Sequence, residues 1–248
     1  MSGAGIEAPP AARPEAARPP SPWTLSDIAL SLPLTVVLWL ALGFGLVTTI
    51  IPLLPQHDHD LRTSVSSFVV SVSFYAGVVG SVLGLVTLHR RAPVSALGWR
   101  AVSLRWVTAA IPLAAAAYLL VVLVGGLQNA LLPADHCGQA RDVLRAYPHN
   151  HALAVIVVAL VAPAAEETFF RGFLYGWLRG RLPPWSAVAV SALVFGLAHL
   201  QPVVLLPLFL LGCVLAIVYE RSGSLLPGMA VHSVFNLVGI TLIFSTHC

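Results

Sequence analysis

The sequence predicts an all-α fold, a polytopic membrane helical bundle of about seven transmembrane helices. Two observations carry the prediction. Of 248 residues, 58% are hydrophobic and only 9% charged, and the mean hydropathy is +0.87. A soluble domain carries roughly 25% charged residues, so this chain cannot cover itself with a solvated surface. Uncharged runs also recur along the chain at the length of a bilayer core, which takes about 20 apolar residues per helix. Together these exclude a soluble globular enzyme, a disordered chain and a nucleic-acid binder.

The elements follow in order. Residues 1–24 are rich in Pro and Ala, with Arg13 and Arg18 against Glu7 and Glu15, and are expected to be a disordered tail. No small-residue cleavage site follows a short apolar stretch, so the first span is read as retained. Three spans near 28–54, 64–88 and 106–127, with their loops, make up residues 25–150. A fourth covers 151–177, a long run extends from Leu182 to Tyr219, and a last span covers 223–246. As one helix the long run would measure roughly 57 Å, nearly twice the hydrocarbon thickness. It must fold back, and His199-Leu200-Gln201-Pro202 supplies the polar and proline break.

Arginine sets the topology. The chain has 13 basic residues, all of them arginine. The loop holding Arg90, Arg91, Arg100 and Arg105 is the strongest cytoplasmic signal. Alternation from it places the N-terminal tail, the Arg179–Arg181 turn and Arg221 on the same side, and Arg62, Arg141 and Arg145 outside. The expectation is a multi-pass protein of a bacterial cell membrane with a cytoplasmic N-terminus, the bacterial source following from Arg used without Lys among abundant Ala, Pro and Gly. Cys137, Cys213 and Cys248 lack metal-type spacing. Cys213 is expected to be a small buried residue, and a Cys137–Cys248 bridge requires an oxidising exterior. Ser73, Gly77 and Ser81, like Gly172, Gly176 and Gly180, recur at helical spacing and are read as packing.

Ionisable groups deep in a span are the informative exceptions, because each carries an insertion penalty of at least about 2.5–3.5 kcal/mol for an acid or base at the helix centre. Those here are Glu166, Glu167 and Arg171 in the fourth span, His199 at the end of the fifth, and His232 in the seventh, with Asn236 one turn beyond. Glu167 and Arg171 stand at i, i+4 and can neutralise each other on one helix face. Glu166 is rotated about 100° away, toward Phe169, Phe170 and Phe173. An unpaired carboxylate against apolar rings suits a general base. The plainer alternative is that both glutamates bind Arg171 and pin the helix. Phe195 and His199, and His232 and Asn236, repeat the i, i+4 spacing. Each histidine has a structural alternative too, His199 as an interfacial group and His232 with Asn236 as interhelical hydrogen-bonding glue. Counted from the cytoplasmic ends, Glu166, His199 and His232 lie at depths of roughly 20, 22 and 12 Å, a mismatch that tilt, a helix break or an early start to the last helix would absorb.

In order along the chain, Glu166-Glu167-x-x-x-Arg171, Phe195-x-x-x-His199 and His232-x-x-x-Asn236 resemble the motifs of the CPBP family. That family contains CAAX prenyl proteases of the Rce1 type, lysostaphin-resistance-like proteins and bacteriocin-immunity-like proteins. The resemblance covers about residues 151–244, marking 151–246 as a four-helix catalytic core, while the first three spans contribute no motif. It implies an intramembrane endopeptidase acting on a membrane-associated protein or peptide. Glu166 would activate a water with help from His199. His232 and Asn236 would stabilise the oxyanion, and Glu167 and Arg171 would hold the helix of Glu166 in place. The favoured mechanism needs no cofactor.

The resemblance also admits a zinc metalloendopeptidase with Glu166, His199 and His232 as ligands. Asn236 is a poor zinc ligand, and no His-Glu-x-x-His occurs. No aspartate lies inside any span as read above, and no Gly-x-Ser-Gly precedes a usable histidine, which strikes out aspartyl and rhomboid-like arrangements. Two further classes stay open: a non-catalytic, immunity-type membrane scaffold, and a proton-coupled transporter using the same groups as a relay. The physiological substrate is not legible in the sequence.

Overall fold

The computed structural model describes residues 21–131 and 138–245, and the described residues fold almost entirely as helices. Among the described residues six helices are long and apolar enough to cross a membrane: α1 (Leu25–Leu53), α2 (His59–His89), α3 (Leu104–Leu131), α5 (His151–Arg179), α7 (Pro202–Ser222) and α8 (Leu225–Ser245). Between α3 and α5 lies the short helix α4 (Gly138–Ala146). The seventh apolar helix, α6 (Pro184–Leu197), has 14 residues. At 1.5 Å per residue it spans about 21 Å, short of the roughly 30 Å hydrocarbon core. The break expected in the long apolar run is present. Chain direction reverses between Leu197 and Pro202, where Leu200 takes a left-handed φ of 55°. Large apolar side chains such as Phe44, Leu104 and Ile111 cover the outer faces of α1 and α3, as lipid-facing surfaces require.

Small residues decide how the helices meet. A Cβ on Gly77 of α2 would stand 2.9 Å from the Thr35 carbonyl oxygen of α1, so the two backbones touch there. Thr35 and Ser81 exchange a hydroxyl hydrogen bond of 2.9 Å across the same seam. Without a hydrophobic drive between helices in lipid, close packing and such bonds carry the association. Gly172 and Gly176 also serve packing, but against partners outside the spanning helices. Gly172 faces the Leu97 carbonyl oxygen, 2.8 Å from its would-be Cβ, and Gly176 faces the Trp23 ring.

The segment around Leu97 explains the depth mismatch. Leu97 is fully buried and lies against Gly172, seven residues or about 10 Å inside the Arg179 end of α5. The turn between α7 and α8 rests on this re-entrant segment. Leu225 N–H donates to the Gly98 carbonyl (2.9 Å) and Ser224 Oγ to the Arg100 carbonyl (2.6 Å). Gly98 has φ 92°, and a Cβ there would lie 2.5 Å from the Tyr219 ring. The last helix therefore starts inside the bundle, and His232 reaches the level of Glu166.

Most of the expected N-terminal tail lies outside the described residues, as do Cys137 and Cys248. The end of that tail is not free, however. Trp23 is 1% exposed, its Nε1–H donates to the Phe173 carbonyl at 2.8 Å, and its ring lies 5.5 Å from that of Phe173. Helix α1 also begins at Leu25, three residues before the expected span, so Asp27 falls in its first turn. Asp27 caps that turn through Thr24 N–H (2.6 Å) and pairs with Arg90 at 2.7 Å. One aspartate bound to an arginine at a helix end is no aspartyl dyad. Cys213 is only partly buried rather than core.

Candidate active site

Helix α5 is not a uniform α-helix. Two π-helical stretches, Val157–Val161 and Thr168–Tyr175, flank the α-helical Ala162–Glu167 that carries both glutamates. Such wider turns concentrate at functional sites. Pro163 is a local cause of the first, because it has no N–H to donate and its ring crowds the carbonyl four residues back.

The expected Glu167–Arg171 pair forms. Arg171 Nη1 donates to Glu167 Oε1 at 2.8 Å, and both side chains are 0% exposed. Arg171 Nη2 also donates to the Gly212 carbonyl (3.2 Å), and its guanidinium lies 4.5 Å from the Phe195 ring centroid. Glu167 has a second partner: His232 Nδ1 lies 3.1 Å from the same Oε1. A carboxylate ion-paired with arginine only accepts, so Nδ1 carries a hydrogen and Nε2 is turned to Glu166, 3.8 Å from its Oε2. His232 thus sits between the two glutamates, 2% exposed.

Glu166 points the other way, as the 100° offset requires. Its side chain keeps 16% exposure and lies on the wall of a cavity of about 520 Å³ between α1, α2, α5 and α6. Phe169, Phe170, Tyr75 and His199 line the same cavity, and Phe173, expected on this face, instead packs in the core. His199, just past the end of α6, has Nδ1 2.9 Å from the Phe195 carbonyl. A carbonyl can only accept, so Nδ1 holds a hydrogen and Nε2 is the ring nitrogen left for the cavity. The Phe195 ring meets both histidines edge-on, at centroid distances of 5.0 Å to His199 and 5.8 Å to His232.

Asn236 is placed differently from its neighbours. Its Nδ2 donates to the Val158 carbonyl of α5 at 2.8 Å, and neither it nor His232 lines the cavity. The alternative zinc set, Glu166, His199 and His232, is not grouped around one point. Among the described residues no three His, Cys, Asp or Glu side chains are arranged to hold a metal ion.

Two contributors escaped the sequence. Tyr75 of α2 donates its hydroxyl to Glu166 Oε1 at 3.2 Å, although the first three spans show no motif. Gly228 of α8 is the second, since a Cβ there would stand 2.9 Å from Glu167 Oε2. Neither carries a local signal, because each matters only through a helix distant in sequence.

Comparison with known proteins covers the segment that carries most of the cluster. The family described as "Type II CAAX prenyl endopeptidase Rce1-like" matches residues 148–238, which contain every polar residue of the cluster except Tyr75. An Escherichia coli protein, "Uncharacterized 24.3 kDa protein", is 29% identical over 161 residues, 62% of this chain and 71% of that one. The Bacillus subtilis (strain 168) protein named "Putative membrane peptidase YdiL" is 30% identical over 95 residues, 38% of this chain and 37% of its own length. No solved structure matches the chain significantly.

Proposed function

From a chain that belongs to the Rce1-like CAAX prenyl endopeptidase (CPBP) family, we propose an intramembrane endopeptidase that hydrolyses peptide bonds of a membrane-associated protein or peptide. The observation that carries the proposal is the separation of two adjacent glutamates. Glu167 is held in a buried ionic cluster, while Glu166 faces an apolar-walled cavity that it shares with His199.

In the proposed reaction Glu166 takes a proton from water as the hydroxyl oxygen attacks the peptide carbonyl carbon. His199, with its Nε2 on the same cavity, is the second proton carrier, and the proton passes to the leaving amine nitrogen as the C–N bond breaks. Oxyanion stabilisation falls to His232 as an imidazolium, with its Nδ1–H held by Glu167 and its Nε2–H left for the oxyanion. Asn236 is the remaining member of the expected set, with one of its two amide hydrogens already engaged by Val158. Glu167 and Arg171 fix the helix and the His232 ring. Tyr75 steadies the Glu166 carboxylate. The partners on this reading are the bilayer and a protein or peptide chain.

The test is peptide cleavage by detergent-purified protein on a broad peptide library, comparing wild type with Glu166→Gln, with and without a chelator, alongside metal analysis. Cleavage that Glu166→Gln abolishes and chelation leaves intact is the expected result. Loss on chelation with stoichiometric zinc would replace the glutamate mechanism by a metal-dependent one. Equal cleavage by wild type and Glu166→Gln would end the proposal, and biological activity retained in a His199→Ala, His232→Ala double variant would favour a scaffold.

A further inference from the structure

The cavity that holds Glu166 has walls of two kinds. Helices α2, α5 and α6, with the turn after α6, bring its reactive groups, Tyr75, Glu166 and His199. Helix α1 brings only Ile28, Leu32, Thr35 and Val36, which follow one face at i, i+4, i+7 and i+8. The Thr35 hydroxyl is engaged by Ser81 at 2.9 Å, so this stripe is in effect apolar. Helix contacts set its level. Gly77 of α2 touches the Thr35 carbonyl, and Tyr75, two residues along α2, reaches Glu166. Val36 therefore lies within about one turn of Glu166 along the bundle axis, and Leu32 about one turn nearer the Arg179 end. The wall is also rigidly mounted. Trp39 Nε1–H donates to the Val70 carbonyl of α2 (3.2 Å), and Asp27 at the start of α1 pairs with Arg90 at 2.7 Å.

We infer, on the proposed peptidase function, that Leu32 and Val36 are specificity-determining residues: they set the size of the apolar side chain that a substrate places beside the bond facing Glu166. Ile28 and Thr35 are 9% and 8% exposed and belong to the packing, whereas Leu32 and Val36 are 59% and 47% exposed. The bulk of those two side chains is therefore not dictated by the fold, and it can change without opening the bundle. A rigid wall selects by size, because one methylene more or less in an apolar pocket changes kcat/KM by about 10- to 200-fold. A charged substrate side chain finds no partner on this stripe. The class selected is a large apolar residue, for which a cavity of about 520 Å³ has room. Chemistry and selection are thereby divided between segments. The acid and the histidines come from the second half of the chain, and the size limit comes from its first helix.

The experiment uses full-length detergent-purified protein and fluorescently labelled peptides that differ at one central position, Ala, Leu or Phe. Two quantities are read: kcat/KM for cleavage, and Kd for binding to the same variants carrying Glu166→Gln, by fluorescence anisotropy. The cleavage arm rests on the proposed function; the binding arm does not. Val36→Phe narrows the cavity and is expected to lower the preference for Phe over Ala about tenfold or more in both readouts. Leu32→Ala widens the cavity and should raise the same preference. Val37→Phe, one position on, is 62% exposed in the wild type, lies off the cavity and should leave the preference unchanged. All three variants should melt at the wild-type Tm. Peptides cut with a preference that Val36→Phe and Leu32→Ala leave unchanged, or that Val37→Phe shifts equally, overturn the inference while the peptidase reading stands. Size-dependent binding that shifts with the α1 variants, with no peptide cut, supports the selecting wall and counts against the peptidase reading. Binding without size dependence, or no binding, overturns the inference. If Val36→Phe does not fold, Leu32→Ala decides by the opposite shift.

Discussion

Replacing Arg171 by methionine tests the buried cluster directly. Both members of the Arg171–Glu167 pair are fully buried. Removing one partner of such a pair strands a charge and costs about 3–5 kcal/mol. The hydrogen bond to the Gly212 carbonyl adds roughly 1 kcal/mol, and the contact with the Phe195 face at 4.5 Å roughly another 1 kcal/mol. Arg171→Met is therefore expected to lose about 5–7 kcal/mol, enough to unfold much of the population of a marginally stable protein. The charge-free double variant Arg171→Met, Glu167→Gln should be markedly more stable than the single, because apolar or neutral replacement of a whole buried pair is often close to neutral. Activity should not return with stability, since His232 no longer has a carboxylate to fix its Nδ1. Equilibrium unfolding in mixed detergent and denaturant measures all four corners of the cycle. A single variant that loses less than about 1 kcal/mol, or a double variant less stable than the single, would refute the claim that stranding the Glu167 charge dominates.

Other perturbations separate stability from chemistry. Tyr75→Phe removes one hydrogen bond of 3.2 Å to Glu166 and is expected to lower kcat about tenfold with unchanged Tm, measured on the peptide found in the Glu166 experiment. Unchanged kcat would mean that Tyr75 merely lines the cavity. Gly228→Ala drives a methyl group to 2.9 Å from Glu167 Oε2, so it should cost about 1–3 kcal/mol and displace the Glu167–His232 contact, with loss of cleavage. Gly239→Ala on the same helix meets nothing within 4 Å and should be neutral or slightly stabilising in the same melts. Trp23→Ala empties a buried ring site against Phe173 and should cost about 3–5 kcal/mol of unfolding free energy; a change below about 1 kcal/mol would show that the chain before α1 is not held.

Features that depend on neighbours three or four residues apart were legible in the sequence. The Glu167–Arg171 pair, the turning away of Glu166, and the break at His199–Pro202 all follow from helix geometry applied to one segment. The helix count followed from hydropathy, and the short α6 shows its limit: an apolar run gives a helix but not its length across the bilayer. What could not be read is contact between segments. Tyr75 is one of several aromatic residues on an apolar helix until the fold brings it to Glu166, 91 positions away. The re-entrant Leu97 looks like any loop leucine, yet it lifts the α7–α8 turn and levels His232 with the glutamates. Trp23 reads as part of a Pro- and Ala-rich tail until its indole finds the Phe173 carbonyl. In lipid such polar contacts are made between helices rather than with water, so their partners are set by the whole bundle.

Two glutamates side by side in an apolar helix would be an unstable design if both faced the same surroundings. Adjacency prevents this, because consecutive helical residues diverge by about 100°. One carboxylate goes inward to Arg171 and His232, and the other goes to the cavity wall. When Glu166 takes a proton from water in the proposed reaction, it gives up its negative charge as the oxyanion forms. The negative charge then moves to the substrate instead of being doubled in a region of low dielectric, where two like charges a few ångströms apart would repel strongly. Arg171 thereby does more than anchor a helix. Its fixed positive charge pairs with Glu167, Glu167 holds the His232 ring through Nδ1, and the ring so held presents Nε2 to the place where charge changes hands. On this argument Glu167→Gln should affect rate more than substrate affinity, because it alters the electrostatics of proton transfer while leaving the cavity walls around Glu166 in place.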